Sequence, residues 1–333
     1  MITRRTFAQG LVASSIGLAH SARAEDAYPN RPIRLVVGLA PGGIADQTAR
    51  IVAPRLGEVL GQSVVVENRT GAGGAIATRM VAASAADGYT LLVAFDGTHV
   101  TIPAANPVIG FDPIADFAPV AKIVDSPVLI TAHPSFPAQD FSEFVPLARQ
   151  ALRTGKGPFD FGTAGIGSTG HLTMELLKLK LNFYAVHIPY RGGGDARAQV
   201  LGRQIPLMLA AVPTTSGDIR AGTLKGLAVT SAKRSPALPN VPALSELPYP
   251  ELKNLDVNSW VGIVAPAKTP SPIVSRIDAA LKEVLASEDI QKRLLNSGST
   301  PVKSSPEIFA RQIAADFQQW KKVIAESRLR LEA

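Results

Sequence analysis

Short apolar runs alternate along the chain with segments whose apolar positions recur three and four residues apart. The first run, Ile33–Val37, is interrupted only by Arg34, and it predicts a strand buried in a parallel sheet. Ile44–Leu60 follows with helical spacing, and Pro54 predicts a kink or break within that helix. Further apolar runs at 63–67, 89–94, 128–132, 160–162, 185–188, 205–209 and 226–229 predict strands, and a helix begins near Ala75. This βαβα order predicts an α/β fold with parallel sheets covered by helices. From Ser271 onward the pattern is purely helical. "SPIVSRIDAALKEVLAS" and "SPEIFARQIAADFQQWKKVIAES" each open on serine and proline, which start helices well.

The turns are unusual. Loops 38–46, 68–74, 94–99 and 163–170 are glycine-bearing, and each follows a predicted strand. In a parallel α/β sheet these loops sit at the carboxyl ends of the strands, where ligands bind. A tight turn needs one glycine, yet "GLAPGGIADQTAR" places Gly42 and Gly43 side by side before a helix. Adjacent glycines there let the backbone N–H groups of a helix start approach an anion closely.

Composition narrows the class. Of the 333 residues 46% are hydrophobic and 18% charged, as in a globular chain. Met1-Ile-Thr-Arg-Arg, the small apolar stretch 7–19 and Ala22-Arg23-Ala24 read as a cleaved export signal over residues 1–24. Thr3-Arg4-Arg5-Thr6-Phe7 also fits the twin-arginine export pattern. Removing that segment takes away Arg4, Arg5 and Arg23 and no acid, so the net charge falls from +7 to +4. The remaining basic residues are scattered, which argues against nucleic-acid binding. The chain has no cysteine, so it has neither disulfides nor a lipid-modified cysteine. The five histidines are dispersed and predict no metal site.

Several blocks carry a family resemblance: "YPNRPIRLVVGLAPGGIADQTAR", "GQSVVVENRTGAGGAIATRMVAASAADGYTLL", "FDPIADFAPVA", "GSTGHLTMELLK", "VHIPYRGG" and "LAVTSAKRSPALPNVPALSEL". Their order and wording resemble the Bug receptors, the extracytoplasmic solute receptors of tripartite tricarboxylate transporters, over essentially the whole mature chain. The resemblance implies a type II periplasmic binding protein fold, with two Rossmann-like lobes joined by two crossing strands. It implies lobe one at 25–124 and 258–333, and lobe two at 125–257. It further implies capture of a di- or tricarboxylate, an acidic amino acid or an aromatic carboxylate, with no enzymatic activity and no cofactor. The implied partners are the carboxylate and the transporter's membrane permease, with the receptor a monomer in the periplasm.

Residue by residue, the resemblance places a carboxylate against Pro41, Gly42, Gly43, Ile44 and Asp46, and against Ala72, Gly73 and Gly74. The opposite lobe contributes Thr163, Ala164, Gly167, Ser168, Thr169 and Gly170, with Tyr190 and Arg191 nearby. Asp96 and Asp195, if they face the cleft, favour a ligand amine. The chain departs from the family after "YRGG", where Gly194-Asp195-Ala196 replaces the common Ala-Pro-Ala. It also lacks the usual acidic or amide residue near Ala210-Ala211, so ligand identity does not carry over.

Other readings are weaker. Gly165-Ile-Gly167-Ser-Thr-Gly170 matches a dinucleotide pattern, but no acid follows about 20 residues on. Ser168 and His171 suggest a nucleophile and base for a serine hydrolase, but Ile166 breaks the usual elbow. Asp46 is equally well placed to stabilise the first turn of its own helix. A ligand-sensing protein for a signalling partner is the alternative function from a different class. Trp260 is expected to pack in the returning strand.

Overall fold

The computed structural model describes residues 28–106 and 108–327. The expected export signal lies outside the described residues. The chain begins with β1 (Ile33–Val37), α1 (Ile44–Leu60), β2 (Val64–Asn68), α2 (Ala75–Ala82), β3 (Thr90–Phe95) and a wide helical turn leading into α3 (Ile102–Ala105). A long strand, β4 (Phe117–Ala132), follows. Next come α4 (Phe141–Arg153), β5 (Phe159–Thr163), α5 (Thr169–Leu181), β6 (Ala185–Pro189), α6 (Gly193–Leu201), β7 (Leu207–Ala211), α7 (Ser216–Ala221) and β8 (Lys225–Val229). The chain ends with β9 (Asn258–Pro266), α8 (Ser271–Ala286), α9 (Glu288–Ser297), β10 (Thr300–Pro301) and α10 (Pro306–Ser327).

The strand order is β2-β1-β3-β9-β4-β7-β5-β6, and β4 is its pivot. Strands β1, β2 and β3 are parallel, while β9 runs antiparallel to both β3 and β4. From Phe117 to Pro127, β4 pairs with β9; from Val128 onward it pairs with β7 on one side and β8 on the other. One strand therefore serves two halves of the sheet, and β9 lies beside it on the return. Thr230 ties the crossing together: its N–H donates to Val128 O, its hydroxyl donates to Val257 O at 2.6 Å, and it accepts from Val257 N–H through its carbonyl.

Each half has its own core. The first buries Leu35, Val52, Leu56 and Val93 with Ile277, Leu281 and Val284 of α8. The second buries Phe141, Phe144, Phe161 and Leu177 around the far half of β4. The C-terminal helices complete the first half, as Phe309 and Ile313 of α10 pack with Trp260. Truncating a fully buried side chain such as Leu56 to alanine costs about 2–5 kcal/mol.

The structure differs from expectation at three places. Helix α1 runs unbroken through Pro54. The proline removes one hydrogen bond, and the buried face of Val52, Ala53 and Leu56 holds the helix in place. Strand β4 begins eleven residues earlier than its apolar run, because register shifts at Pro119/Ala121 and Lys122/Val124 accommodate residues that break alternation. Between α9 and α10 the chain forms the short strand β10, paired antiparallel with β4 at Val124 and Asp125, where the pattern predicts helix alone.

Candidate functional site

The glycine loops meet between the two halves of the molecule. Helix α1 starts at Gly43, which offers no side-chain cap. Helix α6 starts at Gly192, also without one. Helix α5 starts at Ser168, whose hydroxyl accepts from His171 N at 3.4 Å. The first N–H groups of any helix lack intrahelical partners, and the positive end of its dipole points outward. Gly43 and Ile44 of α1, Ser168 and Gly170 of α5, and Gly193 of α6 line a single space of about 20 Å³, with Ala164 and Thr214. Three helix N-termini thus converge on one small uncharged space, whose walls also include Leu39, Phe95, Val128 and Leu209.

The lobes touch around it. Ala40 N donates to Arg191 O at 3.3 Å, and Gln47 Nε2 donates to Pro213 O at 2.8 Å. Gly42 adopts φ +86°, and a Cβ on Gly194 would collide with the carbonyl oxygen of Pro41. The departure from the family pattern at Gly194 therefore matters sterically: only glycine fits this approach.

The three candidate acids are all held within the protein. Asp46 accepts from Gly42 N at 3.0 Å, Arg50 Nε at 2.9 Å and Asn68 Nδ2 at 3.0 Å. Its carboxylate shapes the first loop from behind. Asp195 pairs with Arg191 Nε at 2.7 Å. Asp96 is 3% exposed; Thr169 Oγ1 donates to it from across the cleft, and Trp260 N donates at 3.4 Å. Burial pushes the Asp96 carboxyl up to about 7. Asp46 and Asp96 use both carboxylate oxygens within the protein, whereas Asp195 uses one and its side chain is partly exposed.

The second-lobe loop is fixed by neutral groups. Thr163 Oγ1 lies 2.7 Å from His187 Nε2, takes a hydrogen bond from Ser168 Oγ at 3.1 Å and bonds both backbone groups of Gly165. The rings of His171 and His187 stack with centroids 3.8 Å apart. Burial holds His171 down to about 4 and His187 to about 3, so both are neutral at ordinary pH. His171 Nδ1 accepts from Gly167 N at 3.1 Å, which puts its proton on Nε2. The Ser168 hydroxyl serves the loop and does not meet the His171 ring, in keeping with the weakness of the hydrolase alternative.

A second, larger space of about 660 Å³ opens outward from the same loops. Ala72, Gly73, Gly167, Tyr190, Arg191 and Asp195 line it, as do Ile102, Asn106, Ile109, Ile166 and Gln199. The latter group was missed by the sequence reading, because nothing in its pattern separates cleft-facing aliphatic residues from core. Gly74 lines neither space. At φ +97° it lies under Thr98 and Gly38, so its role is close backbone packing.

An α/β chain with two lobes, two adjoining cross-over strands and a glycine-lined cleft has the fold of a periplasmic binding protein. The comparison with known proteins agrees and is more specific. The profile of the tripartite tricarboxylate transporter family receptor matches residues 48–329, and the chain belongs to that family. BugT of Bordetella pertussis is 32% identical over 332 residues, spanning 99% of each chain. MatC from Rhodopseudomonas palustris, solved with malate, is 31% identical with a TM-score of 0.83, covering 89% of this chain and 100% of MatC. An R. palustris protein solved with adipate is 33% identical with a TM-score of 0.84, covering 90% of this chain and 98% of that one.

Proposed function

We propose that this protein is a periplasmic receptor that captures a small carboxylate between its lobes and hands it to a tripartite transporter's permease, without chemical turnover. One observation carries the reading: three helix N-termini from two lobes converge on one neutral space. Each positive end favours an anion by about 0.3–1 kcal/mol at exposed sites, and by more in partly buried geometries. The space as it stands holds roughly one water. A carboxylate enters as the lobes part slightly, and the amides of both lobes then close on it. The malate in MatC and the adipate in the R. palustris protein support a carboxylate as the ligand class.

The proposed lobe boundaries are 25–124 with 258–333, and 125–257. Residues 1–24 act as the export signal, and the mature receptor works as a periplasmic monomer. A thermal-shift panel of carboxylates, each paired with its amide, tests the reading. A ligand at a hundredfold excess over Kd stabilises the folded state by roughly 2.7 kcal/mol. That is a rise of several degrees for a chain of this size, by the usual scale of roughly 2–4 °C per kcal/mol. The acid is expected to raise Tm and the amide to leave it unchanged. Equal shifts with both would rule out an anion clamp.

A further inference from the structure

The seam between the lobes is held by contacts of its own. Gln47, in the first turn of α1, gives both side-chain amide hydrogens to carbonyl oxygens: Gly42 O in its own lobe and Pro213 O in the other, each at 2.8 Å. Ala40 N donates across the same seam to Arg191 O at 3.3 Å, and the Thr169 hydroxyl donates across to Asp96. Every donor and acceptor here belongs to the protein, so these bonds favour closure with or without a ligand.

Gly194 shows how closely the seam is fitted. It is the second residue of α6, an ordinary helical position where glycine is a poor choice and alanine the best one. Its own helix therefore gives no reason for glycine. The reason lies across the seam: a Cβ here would stand 2.0 Å from the Pro41 carbonyl oxygen and 3.7 Å from the Gly42 carbonyl carbon. A backbone oxygen cannot swing aside as a flexible side chain can, so the relief is to part the lobes. Gly192, the N-cap of the same helix, makes the same demand, since its Cβ would lie 2.8 Å from Ala40 N.

We infer that Gln47 and Gly194 are positioning residues that set ligand affinity without touching the ligand: Gly194 lets the start of α6 seat on the Pro41 carbonyl, and Gln47 spans the seam to Pro213, so that the protein's own contacts hold the lobes closed. Neither residue lines the inner space or the outer cleft. They act on the fraction of molecules already in the binding-competent arrangement, and the apparent affinity falls in proportion as that fraction falls. The inference goes beyond the carboxylate reading, because the seam is defined without reference to what binds.

Small-angle scattering on the mature chain without ligand tests it, comparing the wild type with Gly194→Ala, Gln47→Met and Gly217→Ala. Gly217 is the second residue of α7, and a Cβ there meets nothing within 4 Å, so it is the matched control. Gly194→Ala is expected to raise the radius of gyration and to leave the melting temperature level with the wild type or above it. Calorimetry with malate and adipate is expected to show binding weakened about tenfold or more in that variant. Gln47→Met keeps the side chain's length and loses both donors, and it is expected to shift the radius the same way by less. Gly217→Ala is expected to change neither radius nor affinity. An unchanged radius in a folded Gly194→Ala protein overturns the inference, and an unchanged radius in Gln47→Met removes Gln47 from it. An equal rise in Gly217→Ala also overturns it, by tracing the effect to helix propensity and not to the seam. A wild type that binds no carboxylate overturns the carboxylate reading instead, and the scattering still decides the seam.

Discussion

The loops at 38–46 and 163–170 do the same geometric work in opposite lobes, yet they are braced by opposite chemistry. The first is held by an ionic hub. Asp46 gathers the Gly42 amide, the Arg50 guanidinium and the Asn68 amide, and its negative charge sits in the first turn of α1. The second is held by a neutral hub of Thr163, Ser168 and the stacked His171 and His187, and α5 has no acid in its first turn. The consequence is an asymmetry in the clamp. The α1 end is partly offset by its own carboxylate, whereas the α5 end keeps its positive field for whatever lies before it. Bracing with neutral groups suits the wall that must attract an anion.

The largest expected effects come from filling the backbone approach. Gly43 has φ −79°, which any residue adopts, and a Cβ there meets nothing closer than 3.8 Å. Gly43→Val is therefore expected to fold and melt normally, while its branched carbons intrude between α1 and α6. Loss of affinity of roughly a hundredfold or more is expected by calorimetry. Gly74→Val gives the contrast. Its φ is +97° and its Cβ would lie 2.7 Å from Thr98, so it is expected to lower the melting temperature sharply. If Gly43→Val binds like the wild type, the first loop's amides do not touch ligand and the comparison between the loops fails.

Breaking the ionic hub comes next. Asp46→Ala leaves the Gly42 amide and the Asn68 side chain without their acceptor beside a buried loop. Losses of that kind cost about 1–3 kcal/mol each, so the expected stability change is of that order, with weaker binding because the loop loosens. Asp46→Asn keeps one acceptor oxygen and is expected to fall between. Urea unfolding and ligand titration of both variants check this order. Equal effects of Ala and Asn would mean that charge, and not loop shape, is what Asp46 supplies.

Acid should break the neutral hub by a different route. The folded values for His171 and His187, about 4 and about 3, lie below the ordinary 6.5. A lowered histidine value means that the folded state resists the proton. The stability these two groups contribute is fully present above about 6.5 and is lost as pH falls towards 4 and 3. The loss amounts to roughly 1.4 kcal/mol per pH unit per group at most. Replacing both rings with glutamine is expected to flatten the fall in melting temperature across that window. An unchanged slope would remove the histidines from the account of why the second loop holds.

The fold was readable where burial is uniform. Ile33–Val37 lies between two parallel neighbours, so its run is apolar on both faces and its bounds follow from the pattern. The glycine loops were equally plain, because backbone approach leaves glycine as its trace. The first half of β4 was not legible: Pro119, Lys122, Asp125 and Pro127 break the alternation, and its bulged pairing with β9 tolerates them. In the site, Gly43, Ile44, Ala164, Ser168 and Gly170 were named through the family resemblance, and they line one space. Gly193 and the isoleucine walls were not named, because they acquire their role only when lobes distant in sequence come together. Asp96 and Asp195 are told apart only by the fold: Asp96 is buried against Thr169 and Trp260, while Asp195 pairs with Arg191 four residues away and lines the outer cleft.

The last expected effect concerns Asp96, an acid that bridges from the first lobe to the start of α5. Its value is raised from 3.8 to about 7, mainly by burial, with Asp316 pushing the same way and the Thr169 hydroxyl opposing. A raised carboxyl value means that the folded state holds its proton more tightly than the unfolded chain does. The stability this group contributes is therefore fully present below about 4 and is lost as pH rises to about 7, after which nothing further is lost. This slope is opposite in sign to that of the two histidines, and the groups partly cancel in the wild type. Asp96→Asn keeps an acceptor for Thr169 and cannot ionise. Its melting temperature is thus expected to gain on the wild type steadily between about pH 4 and pH 7, and to run parallel above that. Parallel curves over the whole range would mean that Asp96 is already ionised against α5. Both helix-end braces would then be anionic, and the contrast between the two loops would shrink to the identity of their partners.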